Sequence, residues 1–210
     1  MKRPPPRRLA ALADLPPRPR RGRPADTRQR LLLTALEVFN RDGFHGTDTN
    51  RIAAAAGYSP GTMYKHFADK RALFLAAYEV WVDREWADLT ALVGRSLPPA
   101  GLARAIVAQL HRRHVRWRRF RASLRLLVSA DRDAQSTARR LRRRQLEWLR
   151  ALRRRVGAPA RSAERDALLL YSVERTLDAI ADGETAGMGL STAKLLAQLA
   201  TEIATVGLGA

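Results

Sequence analysis

The sequence predicts an all-α fold: a group of short N-terminal helices followed by a longer helical part, with a basic arm in front. Three observations carry this. Apolar residues recur every three or four positions from Thr27 almost to the end, and no strand-like alternation competes with them. The interruptions are helix stops: Gly43, Gly57, Pro98-Pro99, and Gly157 with Pro159. Finally, the chain has 210 residues, 46% of them hydrophobic, enough to bury a core.

The arm comes first. Residues 1–26 hold seven of the eleven prolines and eight cations against two acids. Proline removes backbone donors and blocks helix interiors, so residues 1–23 are expected to form a disordered Arg/Pro-rich arm. From Thr27 the pattern is helical, with Asp26 or Thr27 as the cap and Leu32, Ala35, Leu36 and Phe39 on one stripe. A second short helix is expected from Thr47 through Ile52 and Ala53 to Ala56. Ser59 caps a third, with Pro60 at its first position, running to about Phe67. Asp69 caps a fourth that carries Leu73, Phe74, Ala77 and Trp81.

Beyond Pro98-Pro99, Leu102, Ile106, Leu110 and His114 share a stripe. Leu141, Leu146, Trp148 and Leu152 mark an Arg-rich helix ending near Gly157. Two more helices are expected over about 161–182 and about 191–206, joined by the Gly183–Gly189 link.

Composition excludes several functions. With no cysteine there are no disulfides, thiol nucleophiles or Cys-based metal centres. No uncharged apolar run reaches 18 residues, and the only apolar stretch near the N-terminus, Leu9 to Leu15, contains Asp14. No membrane span or membrane partner is therefore expected, and the cytoplasm is the expected location. His111 and His114 share a helix face, but the arginines around them repel a dication, so no metal site is expected. No glycine-rich phosphate loop, nucleophile elbow or paired-carboxylate arrangement appears, so neither catalytic residues nor cofactors are predicted and the protein is not expected to be an enzyme.

The net charge of +19 is unevenly placed. Residues 1–26 carry +6, 27–75 carry +3, 76–160 carry +13 and 161–210 carry −3. A generic polyanion binder would be more uniformly basic.

Residues Thr47–Phe67 place two short helices around a glycine-containing turn, the helix-turn-helix arrangement. Ile52, Ala53 and Ala56 pack, Gly57 permits the turn, and Met63 and Phe67 face inward. Pro60, Gly61, Thr62, Tyr64, Lys65 and His66 then face outward on a helix able to enter a major groove. The run G-Y-S-P-G-T-M-Y-K-H-F-A-D-K, with Ala35, Phe39, Gly43-Phe44, Ile52-Ala53, Ala56-Gly57 and Leu73-Phe74, resembles the DNA-binding domain of the TetR (tetracycline repressor-like) family over Thr27–Tyr78.

The resemblance implies a DNA-binding domain over 24–84 and a ligand-binding and dimerisation domain over 85–210. It also implies roles for single residues. Thr47 offers its hydroxyl and N–H to a phosphate, and Thr49 and Asn50 are placed for groove or backbone contact. Ser59, Pro60, Gly61 and Thr62 form the leading end of the recognition helix, where Gly61 allows close approach and Thr62 can bond a base edge. Tyr64, His66 and Lys70 resemble phosphate contacts, and Lys65 could reach a base or the backbone. In the arm, Arg21 and Arg23 lie in R-G-R-P, which resembles the core of an AT-hook whose arginines enter a minor groove; the alternative is a basic tail with nonspecific attraction.

The implied partners are a palindromic double-stranded operator, a second copy of the chain bound through the last two helices, and a small-molecule effector. Candidate pocket residues are Trp81, Trp86, Trp117, Phe120, Leu124, Leu127, Trp148 and Tyr171. Between His111 and Arg121 cations and aromatics interleave, which would suit an anionic effector or a nucleic acid, or else form a solvated face with two core aromatics. The expected function is a ligand-released homodimeric repressor. The alternative is an activator or architectural protein using the arm and the Arg-rich middle.

Overall fold

The structure, a computed structural model, describes residues 23–95 and 97–209. The chain is all-helical throughout these residues, in two compact units that divide between Val80 and Trp81.

The first unit contains α1 (Pro24–Asp42), α2 (Thr49–Ala56), α3 (Pro60–Tyr64) and the first part of α4 (Lys70–Val93). Helix α1 starts earlier than the sequence predicts. Pro24 supplies the fixed φ of a first helical position, Arg23 stands at the cap without a side-chain bond, and Asp26 falls inside the first turn instead of capping it. In T-D-T at 47–49 the cap is Asp48, not Thr47. Its carboxylate accepts the Arg51 N–H at 2.9 Å, so α2 begins at Thr49. Helix α3 ends at Tyr64, three residues short of the expected Phe67. Ser59 and Asp69 cap α3 and α4 as predicted.

The core of this unit is aromatic at its centre. Phe39 meets Phe74 edge-on at 4.9 Å, and Phe44 meets Phe74 at 5.2 Å. Leu31, Leu36, Ile52, Ala53, Met63 and Leu73 close around them, all fully or nearly fully buried. The alanines of α2 let it approach α1, where the Arg30 guanidinium donates to the Ala56 carbonyl at 3.0 Å.

The second unit takes the rest of α4, then α5 (Pro99–Arg116), α6 (Arg118–Ala130), α7 (Arg132–Arg155), α8 (Ala163–Ala181), α9 (Glu184–Gly187) and α10 (Thr192–Glu202). A π-helical turn, Ile203–Gly207, follows α10. Two helix breaks are invisible in the periodicity. Trp117 interrupts the helix between α5 and α6, and Asp131, extended, caps α7 by accepting the Ala134 N–H at 2.8 Å. The inward stripe of α7 is Leu141, Gln145, Leu149 and Leu152; Leu146 and Trp148 are only half-buried. The link at Gly183–Gly189 contains the single turn of α9. Leu102, Ile106, Leu152, Val173, Leu177, Leu199 and Ile203 are central to the core, so α4, α5, α7, α8 and α10 share one apolar interior.

Candidate nucleic-acid interface and effector cavity

The turn between α2 and α3 is built by backbone. Gly57 adopts φ +79° and ψ 26°, the left-handed conformation that glycine takes without penalty. From there Gly57 N–H reaches the Ala54 carbonyl and Tyr58 N–H the Ala53 carbonyl, closing the end of α2. Ser59 then opens α3, accepting the Thr62 N–H at 3.3 Å and sharing a hydroxyl–hydroxyl bond with Thr62 at 3.0 Å. Met63 and Phe67 are buried beneath, and Pro60, Gly61, Tyr64 and Lys65 are exposed on the other side.

The residues assigned to DNA divide into two groups. Asn50, Ser59, Pro60, Gly61, Tyr64 and Lys65 are exposed; Thr62 and His66 are half-buried. Tyr64, 51% exposed, shares a bond between its hydroxyl and that of Thr49 at 2.9 Å, which ties the recognition helix to α2. Thr47 and Thr49 are buried. The Thr47 hydroxyl lies inside the unit with no partner among the described residues, which leaves its backbone rather than its side chain for an external phosphate. Lys70 is also turned inward. Its ammonium donates to the Phe44 and Thr47 carbonyls, each at 2.9 Å, and lies 4.5 Å from the Phe44 ring centre. One of its three N–H groups remains for another acceptor.

Two further exposed residues belong to this surface that the sequence pattern does not single out. Asp48 is the cap, and Arg51 on α2 is exposed with its guanidinium donating to the Gly46 carbonyl at 3.1 Å. Asp is at least as strong a cap as Thr, and any non-proline residue three positions on supplies the backbone N–H it accepts. Of the arm pair, Arg23 is exposed at the start of α1, and Arg21 lies outside the described residues.

In the second unit the His111–Arg121 run is not a ligand surface throughout. Its aromatics Trp117 and Phe120 are buried, and two of its arginines and one histidine are tied to acids of the same unit. Arg113 pairs with Glu85 at 3.2 Å and Asp88 at 3.1 Å. His114 lies 3.0 Å from Asp178, and Arg121 meets the same carboxylate at 2.6 Å; Arg125 adds a contact at 2.8 Å. Burial opposes the charge on Asp178, but hydrogen bonds from His114 and Arg121 outweigh it and hold the carboxyl well below the usual carboxylate range. For Glu85 burial wins, and its pKa is raised despite Arg113, Arg121 and His114.

Of the expected pocket residues, Trp86 and Trp148 stand together at a cavity, their rings 4.4 Å apart. They line an apolar cavity of about 70 Å³ with Leu89, Ile106, Leu110, Leu169 and Ile203. The Trp148 N–H donates to the Thr90 hydroxyl at 2.9 Å. The other aromatics lie elsewhere. Trp81, Trp117 and Phe120 form a separate buried cluster, with Phe120 5.9 Å from Trp81 and 6.3 Å from Trp117. Leu124 and Leu127 are half-buried on α6, away from the cavity wall, and Tyr171 is 55% exposed with the Arg142 guanidinium over its ring. The cavity is assembled instead from leucines and isoleucines of four helices and the π-helical turn, residues that the sequence marks only as core.

Residues 31–77 match the model for bacterial regulatory proteins of the tetR family. Over 50 residues the chain is 44% identical to the HTH-type transcriptional regulator UidR of Escherichia coli strain K12, covering 24% of this chain and 26% of that protein. The match thus spans about a quarter of that relative's length. The fold extends further. A putative TetR-family regulator from a Rhodococcus species aligns over 87% of this chain and 99% of its own, with a TM-score of 0.70 at 19% identity. The regulator FadR of Bacillus subtilis, solved in complex with stearoyl-CoA, aligns over 87% and 98%, with a TM-score of 0.58 at 12% identity. The family model and the UidR match thus both fall on the helix-turn-helix of transcriptional regulators, and the two solved structures share the all-helical fold.

Proposed function

The chain carries the helix-turn-helix domain of the tetR family, and from that premise we propose that it is a homodimeric transcriptional repressor released from DNA by an apolar effector. The observation that carries this is the two-sidedness of α3: Met63 and Phe67 anchor it, and Pro60, Gly61, Tyr64 and Lys65 are left to meet a groove. Thr62 and Gly61 read base edges. Tyr64, Lys65, His66, the Thr47 backbone and the remaining Lys70 N–H position the phosphates.

One recognition helix makes too few base contacts for tight binding, and a pair spaced about 34 Å apart reads a palindrome. The dimer is proposed to form through α8 and α10 and the link between them. Leu168 is 70% exposed there, and Tyr171, Met188 and Leu190 are exposed with it. The effector site is the cavity beside Trp86 and Trp148. Its apolar wall favours a hydrocarbon body over the anionic effector that the basic run would suit, and the stearoyl-CoA of the Bacillus FadR structure fits that chemistry. At about 70 Å³ the cavity admits the end of a chain, and a larger ligand requires its walls to part.

The test is a footprint on the intergenic DNA beside the gene, repeated with an acyl-CoA series. A short palindromic protection lost on adding one chain length supports the reading, as does loss of that response in Leu110→Trp, which fills the cavity. Long unphased protection favours the architectural alternative and would sink it.

A further inference from the structure

Helix α7 holds ten arginines and two acids, Asp133 and Glu147. Three of the arginines are used within the unit, Arg142 on Glu174, Arg144 on Asp83 and Arg153 on Asp166. Arg132, Arg139, Arg143, Arg150 and Arg154 are different. All five are exposed, and none forms an ion pair among the described residues. Their separations of seven, four, seven and four residues put them in one row, within an arc of about 60° of the helix. The row lies opposite the buried Ala134, Leu141, Gln145 and Leu152, and at 1.5 Å per residue it is about 33 Å long. Like charges four residues apart, as in Arg139–Arg143 and Arg150–Arg154, destabilise a helix, and Glu147, four residues after Arg143 and three before Arg150, is the one acid of α7 beside the five. Most of the counter-charge has to come from outside.

The shape of the row selects the partner. A small anion meets one or two of these guanidiniums, not five across about 33 Å. A helix lying on an anionic membrane presents Trp, Phe or Leu beside its cations, whereas no large apolar side chain of α7 is exposed. Duplex DNA is a continuous linear anion with one charge per about 1.7 Å of axis, and the planar guanidinium fork suits its phosphates.

We propose that the outward face of α7 is a second DNA-contacting surface, which grips the phosphate backbone without reading sequence and acts independently of α3. It accounts for much of the unexplained charge of the 76–160 segment and gives the second unit a role in holding flanking or neighbouring duplex.

The experiment uses the full chain and a random-sequence 30-base-pair duplex, with affinity measured by fluorescence anisotropy between 50 and 200 mM salt. Replacing the five arginines by glutamine should lower the slope of log affinity against log salt by about three to four and weaken binding at least tenfold at the lowest salt. The matching five-lysine variant should keep the slope. The pairs Arg139→Gln with Arg143→Gln and Arg150→Gln with Arg154→Gln should each lower it by about 1.5 to 2, which covers the case in which the five-fold variant does not fold. A Tyr64→Ala, Lys65→Ala variant should retain the α7-dependent part, so failure of this surface is distinguishable from failure of the recognition helix. A wild-type slope in folded glutamine variants overturns the proposal. So does an unchanged DNA slope accompanied by lost binding to phosphatidylserine vesicles, which would assign the face to a membrane.

Discussion

In the first unit, the helix-capping side chains find partners three residues away: Asp48 takes the Arg51 N–H, Ser59 that of Thr62, and Asp69 that of Ala72. In the second, Asp178 is held by Arg121 and His114, 57 and 64 residues distant. The first arrangement makes short helices with defined ends, as a small reading head requires. The second fastens α5, α6 and α8 to one another through charged and polar groups, in a unit that also keeps an apolar cavity. Bonds of the first kind fail singly. Those of the second fail together, because removing Asp178 takes the partner from buried Arg121 and His114 and from the more exposed Arg125 at once.

The most severe break of that contrast is Asp178→Ala. Arg121 and His114 are both buried, and an uncompensated buried charge costs about 3–5 kcal/mol. Urea unfolding of the full chain should show that loss, and Asp178→Asn, which keeps one acceptor, should lose less. A loss below about 1 kcal/mol would mean the cluster is as weak as a surface pair.

The same carboxylate sets a pH dependence with a defined sign. Its folded pKa is depressed, so its stabilisation is complete above the unfolded value of about 3.9 and is lost as pH falls below it. Wild type should therefore lose stability through that acid range more steeply than Asp178→Asn. Equal acid slopes in urea midpoints would remove Asp178 as the source. Glu85 runs the other way: its raised pKa makes ionisation in the folded state unfavourable as pH rises.

How much the sequence revealed follows the same division. Ser59, Pro60, Gly57 and Asp69 were legible because caps and turns depend on neighbours within three or four residues. Asp48 was missed only through competition from an adjacent Thr of the same kind. In the second unit the helices were legible from period and stops, but their inward faces were not. Gln145 and Arg153 are buried on α7 and half-buried Trp148 is not, because the partners that decide this, such as Asp166 and the Gly207 carbonyl, come from other helices. The cavity was illegible for a further reason. A leucine facing a void and a leucine facing another leucine have the same sequence signature.

Lys70 tests whether the first unit is wholly local. Its two bonds, to Phe44 and Thr47, span 26 and 23 residues and join those of Arg30 to Ala56 and Thr49 to Tyr64 as the longer-range ties there. Lys70→Met keeps an unbranched apolar side chain of similar length near the Phe44 ring and deletes both bonds, so a stability loss of about 1–3 kcal/mol is expected with a weakened DNA complex. Unchanged melting with a DNA salt slope lowered by one would make Lys70 a phosphate contact alone.

The smallest expected change in stability falls where the fold asks least. A Cβ added at Gly61 would meet nothing nearer than the Ser59 hydroxyl at 4.0 Å, and Gly61 sits on helical backbone in α3. Gly61→Ala should therefore leave stability unchanged or raise it by up to about 1 kcal/mol, since alanine is the better helix former. If the missing side chain serves close approach to DNA, operator affinity should fall even as melting temperature holds or rises. That opposite movement separates a residue kept for the partner from one kept for the fold. Should both hold steady, the leading end of α3 stands further from the bases than the helix-turn-helix geometry requires, and the burden of reading moves to Thr62 and Lys65.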